Sequence, residues 1–216
     1  MVKKVAPSLL AADPGNYQAG VEFAEKIGGD LVHIDVMDGS FVPPITFGDN
    51  IVSVAKKSST LFVETHLMIV NPEKHLDSFI NAGSDRIIFH LEAATDIVAS
   101  LAKLKDSGIS AGLAINPETD VEELFPYLKH CDLVLIMTVN PGWGGQKFID
   151  SCLRKVELVK AQIDELNLKT LIEVDGGINE STARPCLKAG VDILVSGSYL
   201  YSHSDPQTAV SELKKV

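Results

Sequence analysis

Eight short runs of apolar and β-branched residues recur along the chain, at Val2–Pro7, Leu31–Val36, Leu61–Leu67, Arg86–Phe89, Ser110–Ile115, Leu133–Met137, Lys169–Val174 and Ile193–Val195. Amphipathic stretches of helical length lie between them, such as Gly15–Ile27, Pro72–Asn81, Ile97–Ser107 and Phe148–Leu166. Eight strands alternating with eight helices is the pattern of a parallel barrel. Several junctions repeat as well: Gly28-Gly29-Asp30, Gly83-Ser84-Asp85, Gly108-Ile109 and Gly190-Val191-Asp192 each end a helix with glycine just before an apolar run. Glycine there supplies the left-handed cap conformation. An open, doubly wound sheet is the alternative, but it usually carries Gly-x-Gly-x-x-Gly after its first strand. The first turn here, Ser8-Leu9-Leu10-Ala11-Ala12-Asp13, has no glycine. No linker or low-complexity tract divides the 216 residues. The expectation is therefore an α/β protein, a (β/α)8 TIM barrel forming one domain over residues 1–216.

Charge and cysteine usage narrow the function classes. With 19 basic and 29 acidic residues, the net charge of −10 argues against nucleic acid or an anionic membrane as a partner. A phosphorylated small molecule stays open, since backbone N–H groups and helix N-termini bind phosphate without a basic patch. Cys131, Cys152 and Cys186 are far apart and form no Cys-x-x-Cys pair, which suits a reducing compartment. The N-terminal apolar run is broken by Pro7 and Ser8, so it is not read as a signal peptide. No stretch is long enough to span a bilayer, and a cytoplasmic protein is expected.

In such barrels the chemistry sits at the C-terminal ends of the strands. The segment His33-Ile34-Asp35-Val36-Met37-Asp38-Gly39 is one such end, with His33, Asp35 and Met37 on one face by alternation. Taken alone it is equally a core histidine with a capping aspartate. Other strand ends carry Ser8, His66, His90, Asn116, Thr138, Asp175, Ser196 and Ser198. His33, Asp35, His66 and Asp175 offer two nitrogens and two oxygens, a donor set suited to a divalent ion. Zinc is the first expectation for that ion, one per subunit, with iron(II), manganese and cobalt as alternatives. Gly176-Gly177 and Gly197-Ser198 follow strands seven and eight, where barrels often bind phosphate; simple turns are the other reading. The loop carrying Gly142, Trp143, Gly144 and Gly145 reads as a mobile lid, or else as a surface loop with Trp143 exposed. Met37, Met68 and Met137 also fall at strand ends and are expected to line a dry site.

These motifs, in this order, resemble the ribulose-phosphate 3-epimerase family over nearly the whole chain: Ala6-Pro7-Ser8, His33 to Gly39, His66-Leu67-Met68, Asn116-Pro117, Met137 to Gln146, Glu173 to Gly177, and Gly197-Ser198. The resemblance implies an isomerase that interconverts D-ribulose 5-phosphate and D-xylulose 5-phosphate. It implies His33, Asp35, His66 and Asp175 as metal ligands, with Asp35 and Asp175 also the two acid/base residues. Ser8 and His66 then contact substrate, and the loops at Gly142–Gly145, Gly176-Gly177 and Gly197-Ser198 enclose its tail and phosphate. A homo-oligomer is implied too. Moving a proton from one face of C3 to the other requires two bases, and a metal would stabilise the enediolate between them. A 3-epimerase of a hexulose phosphate such as allulose 6-phosphate is the nearest rival, and a non-catalytic sugar-phosphate-binding barrel is the rival of another class. Two residues depart from the family pattern, Glu64 and Pro44. By alternation Glu64 and Arg86 both point into the barrel, which predicts an interior ion pair.

Overall fold

The structure, a computed structural model, describes residues 3–215. Val2, expected at the start of the first strand, lies outside the described residues. Eight strands run β1 (Lys4–Pro7), β2 (Leu31–Met37), β3 (Phe62–Met68), β4 (Arg86–His90), β5 (Ser110–Ile115), β6 (Leu133–Met137), β7 (Leu171–Asp175) and β8 (Ile193–Ser196). Each pairs in parallel with its neighbours in chain order, and β8 returns to β1. The remaining seam between β1 and β2 is bridged at Ser8 and His33. This is a nearly closed TIM barrel, as the alternation of the sequence predicts.

The α-helices are α1 (Tyr17–Lys26), α2 (Asp49–Ser58), α3 (Leu76–Ala82), α4 (Ile97–Asp106), α5 (Cys152–Glu165), α6 (Glu180–Ala189), α7 (Ser198–Tyr201) and α8 (Pro206–Leu213). They are not spaced one per strand. Between β5 and β6 the chain winds as 3-10 turns over Val121–His130, while two helices follow β8. Pro126 sits inside that 3-10 segment, where it has no N–H to give and would crowd the preceding turn of an α-helix. Two expected helices are also shortened. Pro72–Lys74 forms a separate 3-10 turn before α3, and α5 starts at Cys152, with Ile149 N–H donating to Thr138 O at 2.8 Å ahead of it.

Helices and sheet enclose a continuous apolar layer, including Val21, Val52, Phe79, Leu101, Leu128, Val156 and Leu187. The barrel interior is divided. One side holds Ile88, Ala114, Leu133, Leu135, Ile193 and Val195. Gly112 makes room for Ile88 there, since a Cβ at Gly112 would lie 2.6 Å from Ile88 Cγ1. His33, Glu64 and Glu173 are also completely buried, Glu173 in register between Leu135 and Ile193.

The floor of the barrel is held by four aspartates, each just ahead of an even-numbered strand. Asp30, Asp85, Asp132 and Asp192 accept side-chain hydrogen bonds from the N–H groups of Val5, Val63, Ala111 and Ile172 at 2.8–3.1 Å. Each returns its own N–H to the carbonyl of the same residue at 2.8–2.9 Å. A lysine pairs with each: Lys214 with Asp30, Lys56 with Asp85, Lys105 with Asp132 and Lys3 with Asp192. Asp85→Ala removes the acceptor of a strand N–H at the base of β3. It is expected to cost about 1–3 kcal/mol in chemical denaturation while leaving the C-terminal rim unchanged.

Candidate active site

Alternation along β2 and β3 points His33, Asp35, Glu64 and His66 into the barrel, and parallel register sets Asp35 beside His66. His33 Nε2 lies 3.2 Å from Asp35 Oδ1 and 3.3 Å from His66 Nδ1, and His66 Nδ1 lies 3.1 Å from Asp35 Oδ1. Asp175, from the end of β7 across the barrel, places Oδ2 3.9 Å from both nitrogens. All four donor atoms lie within 4.8 Å of one another. Four donors bound tetrahedrally at zinc distances are spaced about 3.3 Å apart. Two nitrogens and two carboxylate oxygens at this spacing therefore fit one divalent ion, with a modest inward movement of Asp175.

The backbone under these groups is pinned. Thr46 Oγ1 donates to Asp35 O at 2.6 Å and accepts from Met37 N–H at 3.0 Å. Thr138 Oγ1 donates to the carbonyls of Asp175 and Gly176. Ser8, expected to contact substrate, donates to Asp35 Oδ2 at 2.6 Å, so one Asp35 oxygen faces Ser8 and the other faces the imidazoles.

Beneath His33 the expected ion pair is present. Glu64 Oε1 lies 2.8 Å from His33 Nδ1, and Arg86 donates to Glu64 Oε2 at 2.5 Å. The Arg86 guanidinium also donates through Nε to Ser110 Oγ and stacks 5.0 Å over the Phe62 ring. Glu173 Oε1 lies 3.4 Å from His33 Nδ1. Glu64 thus supports His33 from below, a role that alternation alone does not assign, while both Glu173 oxygens are buried without a hydrogen-bond partner among the described residues.

Burial and neighbouring charge separate the titrations. Burial works against an ionised Asp35, yet the adjacent His33 and His66 hold it well below the ordinary carboxylate range. Burial and then the Asp35 charge push Asp175 up to about 7. Burial opposes charge on His33, but Asp35, Glu173 and Glu64 around it raise its pKa well above the ordinary value. Burial lowers His66 to about 4. Burial would raise Glu64, but Arg86 outweighs it and holds it at about 2. Burial and the Glu64 charge keep Glu173 protonated well above the ordinary range.

The remaining expected residues occupy the same rim in different ways. Met37 and Met68 pack together with Val42, whereas Met137 joins the apolar side of the interior, so the methionines do not form one lining. Gly176 and Gly177 have φ of 120° and 68°, and a Cβ on them would strike Val139 and the Phe148 backbone. Their turn is thus required by packing, whatever it binds. Gly197 precedes the short α7, and Ser198 opens it. In the loop of Gly142, Gly144 and Gly145, Gln146 Nε2 braces the carbonyls of Asn140 and Trp143. Trp143 is 64% exposed, as the surface-loop reading expects. Sequence reading left His90 without a role and passed over Glu92; the His-x-Glu spacing at the end of β4 was the available signal.

The sequence pattern of the ribulose-phosphate 3 epimerase family matches residues 4–201. The ribulose-phosphate 3-epimerase of Bacillus subtilis is 44% identical over 212 residues, spanning 98% of each chain. That of Chlamydia trachomatis is 44% identical over 199 residues, or 91% of this chain and 85% of the relative. The solved structure of KGPDC from Streptococcus mutans superposes with a TM-score of 0.73 at 13% identity, covering 99% of this chain and 96% of that one, a likeness of fold.

Two outcomes follow from the site's electrostatics. Arg86→Met strands the Glu64 carboxylate in the interior and is expected to cost about 3–5 kcal/mol in urea unfolding. Adding Glu64→Gln to it recovers much of that loss. Below about 7, Asp175 carries a proton, and the carboxylates around His33 hold one on that imidazole well beyond its ordinary range, so an incoming ion must displace both. Metal affinity therefore rises with pH, about tenfold per unit for each proton released, and levels off once the site is deprotonated. Competition with a chelator on either side of neutrality measures it.

Proposed function

The chain belongs to the ribulose-phosphate 3-epimerase family, and we propose that Asp35 and Asp175 are the two acid/base groups of its reaction. The enzyme is an isomerase that interconverts D-ribulose 5-phosphate and D-xylulose 5-phosphate, inverting the configuration at C3. One observation carries the assignment: two carboxylates from opposite walls, β2 and β7, approach the same pair of imidazole nitrogens. A substrate bound over the cluster would turn one face of C3 toward each carboxylate. One takes the C3 proton to leave an enediolate, and the other returns a proton to the opposite face. The reverse reaction exchanges their roles. In the metal-free site their surroundings differ, the histidines keeping Asp35 ionised while burial leaves Asp175 holding a proton up to about 7.

His33, Asp35, His66 and Asp175 would hold one divalent ion, zinc first among the candidates. Bound there, it supplies a Lewis acid that stabilises negative charge on the substrate oxygens. Ser8 fixes Asp35 through its 2.6 Å hydrogen bond, and His66 presents the other edge of the site to the substrate. Backbone N–H groups at Gly176, Gly177, Gly197 and Ser198 receive the phosphate, and Gly142, Trp143, Gly144 and Gly145 cover the sugar. Among the described residues no helix is long and apolar enough to cross a membrane, and the three cysteines are free and buried. These features suit a cytoplasmic enzyme, and family resemblance alone supports a homo-oligomer.

Asp35→Asn and Asp175→Asn are each expected to remove nearly all turnover while the circular dichroism spectrum stays that of the folded protein. Near-normal activity in either variant overturns the two-base assignment. For the parent enzyme, deuterium from solvent should enter C3 of ribulose 5-phosphate. A chelator should stop that exchange and added metal restore it, while metal analysis of the purified protein identifies the ion.

A further inference from the structure

We propose that His90 and Glu92 are positioning residues that fix the tautomer and orientation of His66, an inference that rests on the four-ligand reading above. His90 ends β4 and is completely buried, with the Phe41 ring 4.8 Å away. Its Nε2 lies 2.9 Å from His66 Nε2, the ring edge of His66 that does not face the ligand cluster. Its Nδ1 lies 3.2 Å from Glu92 Oε2. Glu92 is held in turn through Oε1, which accepts from Asn116 N–H at 2.7 Å and from the Thr119 hydroxyl. Lys155, on α5, donates to the carbonyls of Asn116 and Thr119 and so ties down that loop.

The proton positions follow from this chain of contacts. A carboxylate only accepts, so His90 meets Glu92 with a proton on Nδ1. An imidazole with its one hydrogen on Nδ1 has a bare Nε2, and that is the edge His90 turns to His66. The two Nε2 atoms can share only one proton, so His66 supplies it. That leaves His66 with a lone pair on Nδ1, 3.1 Å from the acceptor Asp35 Oδ1, a pairing of two acceptors that a cation bound in the cluster would satisfy. Outer partners of this kind orient a ligating imidazole and strengthen its donor nitrogen. His33 has the shorter version, with Glu64 directly on its Nδ1. Each imidazole ligand is thus backed by a carboxylate, one directly and one through a second imidazole.

Glu92→Gln is the sharper test, because both Glu92 oxygens accept and either orientation of a Gln amide turns an N–H against His90 or against Asn116 N–H. His90→Gln is the second variant. The metal-free proteins are titrated with zinc and with cobalt(II) against a chromophoric chelator, with thermal unfolding of the metal-free form as the measure of structure. Affinity at least about tenfold weaker in Glu92→Gln, with changed visible bands of the cobalt protein and an unchanged metal-free midpoint, is the expected result. If His90→Gln does not fold, Glu92→Gln decides alone. Affinity within twofold of the parent and superimposable cobalt bands overturn the positioning role. A His66→Ala variant that binds metal as tightly as the parent overturns the four-ligand reading instead, and the inference with it.

Discussion

The hydrogen bond between His33 Nδ1 and Glu64 connects the rim of this barrel to its interior. An imidazole buried at that depth must satisfy two edges at once. His33 turns one edge up to Asp35 and His66 and the other down to Glu64. Glu64 then needs a counter-charge, which Arg86 supplies, and Arg86 needs its own partners, Ser110 and the face of Phe62. Burial and then the neighbouring Glu64 charge keep Glu173 protonated. The half-polar interior is the support that holds the upper histidine in place.

Alternation and strand order carried much of this arrangement in advance. A period of two fixes which face a residue occupies, so Glu64 and Arg86 were placed in the interior together, and register did bring them into contact. The strand-end rule gathered His33, Asp35, His66 and Asp175 on one rim, and their donor atoms converge. What a face does not give is the neighbour across it. Ser8 could be placed at the rim, but not on Asp35 Oδ2. Met137 shares the rim with Met37 and Met68, yet packs elsewhere because β6 stands on the apolar side.

Local chemistry overrode pattern at a few other places. The segment before β6 has an apolar rhythm that suits a helix, but Pro126 inside it leaves 3-10 turns. Glycines that read as a phosphate loop have a packing reason of their own, at Gly176 against Val139 and at Gly177 against Phe148. The aspartates before the even strands stood in plain view beside the helix-ending glycines. Their function depends on a backbone N–H of the preceding strand, which only the assembled sheet brings within reach.

Those four aspartates divide the molecule into four successive strand pairs, β1 with β2, β3 with β4, β5 with β6, and β7 with β8. Each bridge joins residues only 20–25 positions apart. Closing so short a loop costs little chain entropy, so each pair is suited to form early and locally. Contact between β1 and β8 joins the two ends of the chain and must pay for ordering all of it. The converging cluster at the rim draws on three of the four pairs: His33 and Asp35 from the first, His66 from the second and Asp175 from the last. The β5–β6 pair supplies none of it, so the group is whole once the last pair meets the first and second. Convergence of these four side chains therefore waits on docking of the last pair against the first, whether or not β5 and β6 are yet in place.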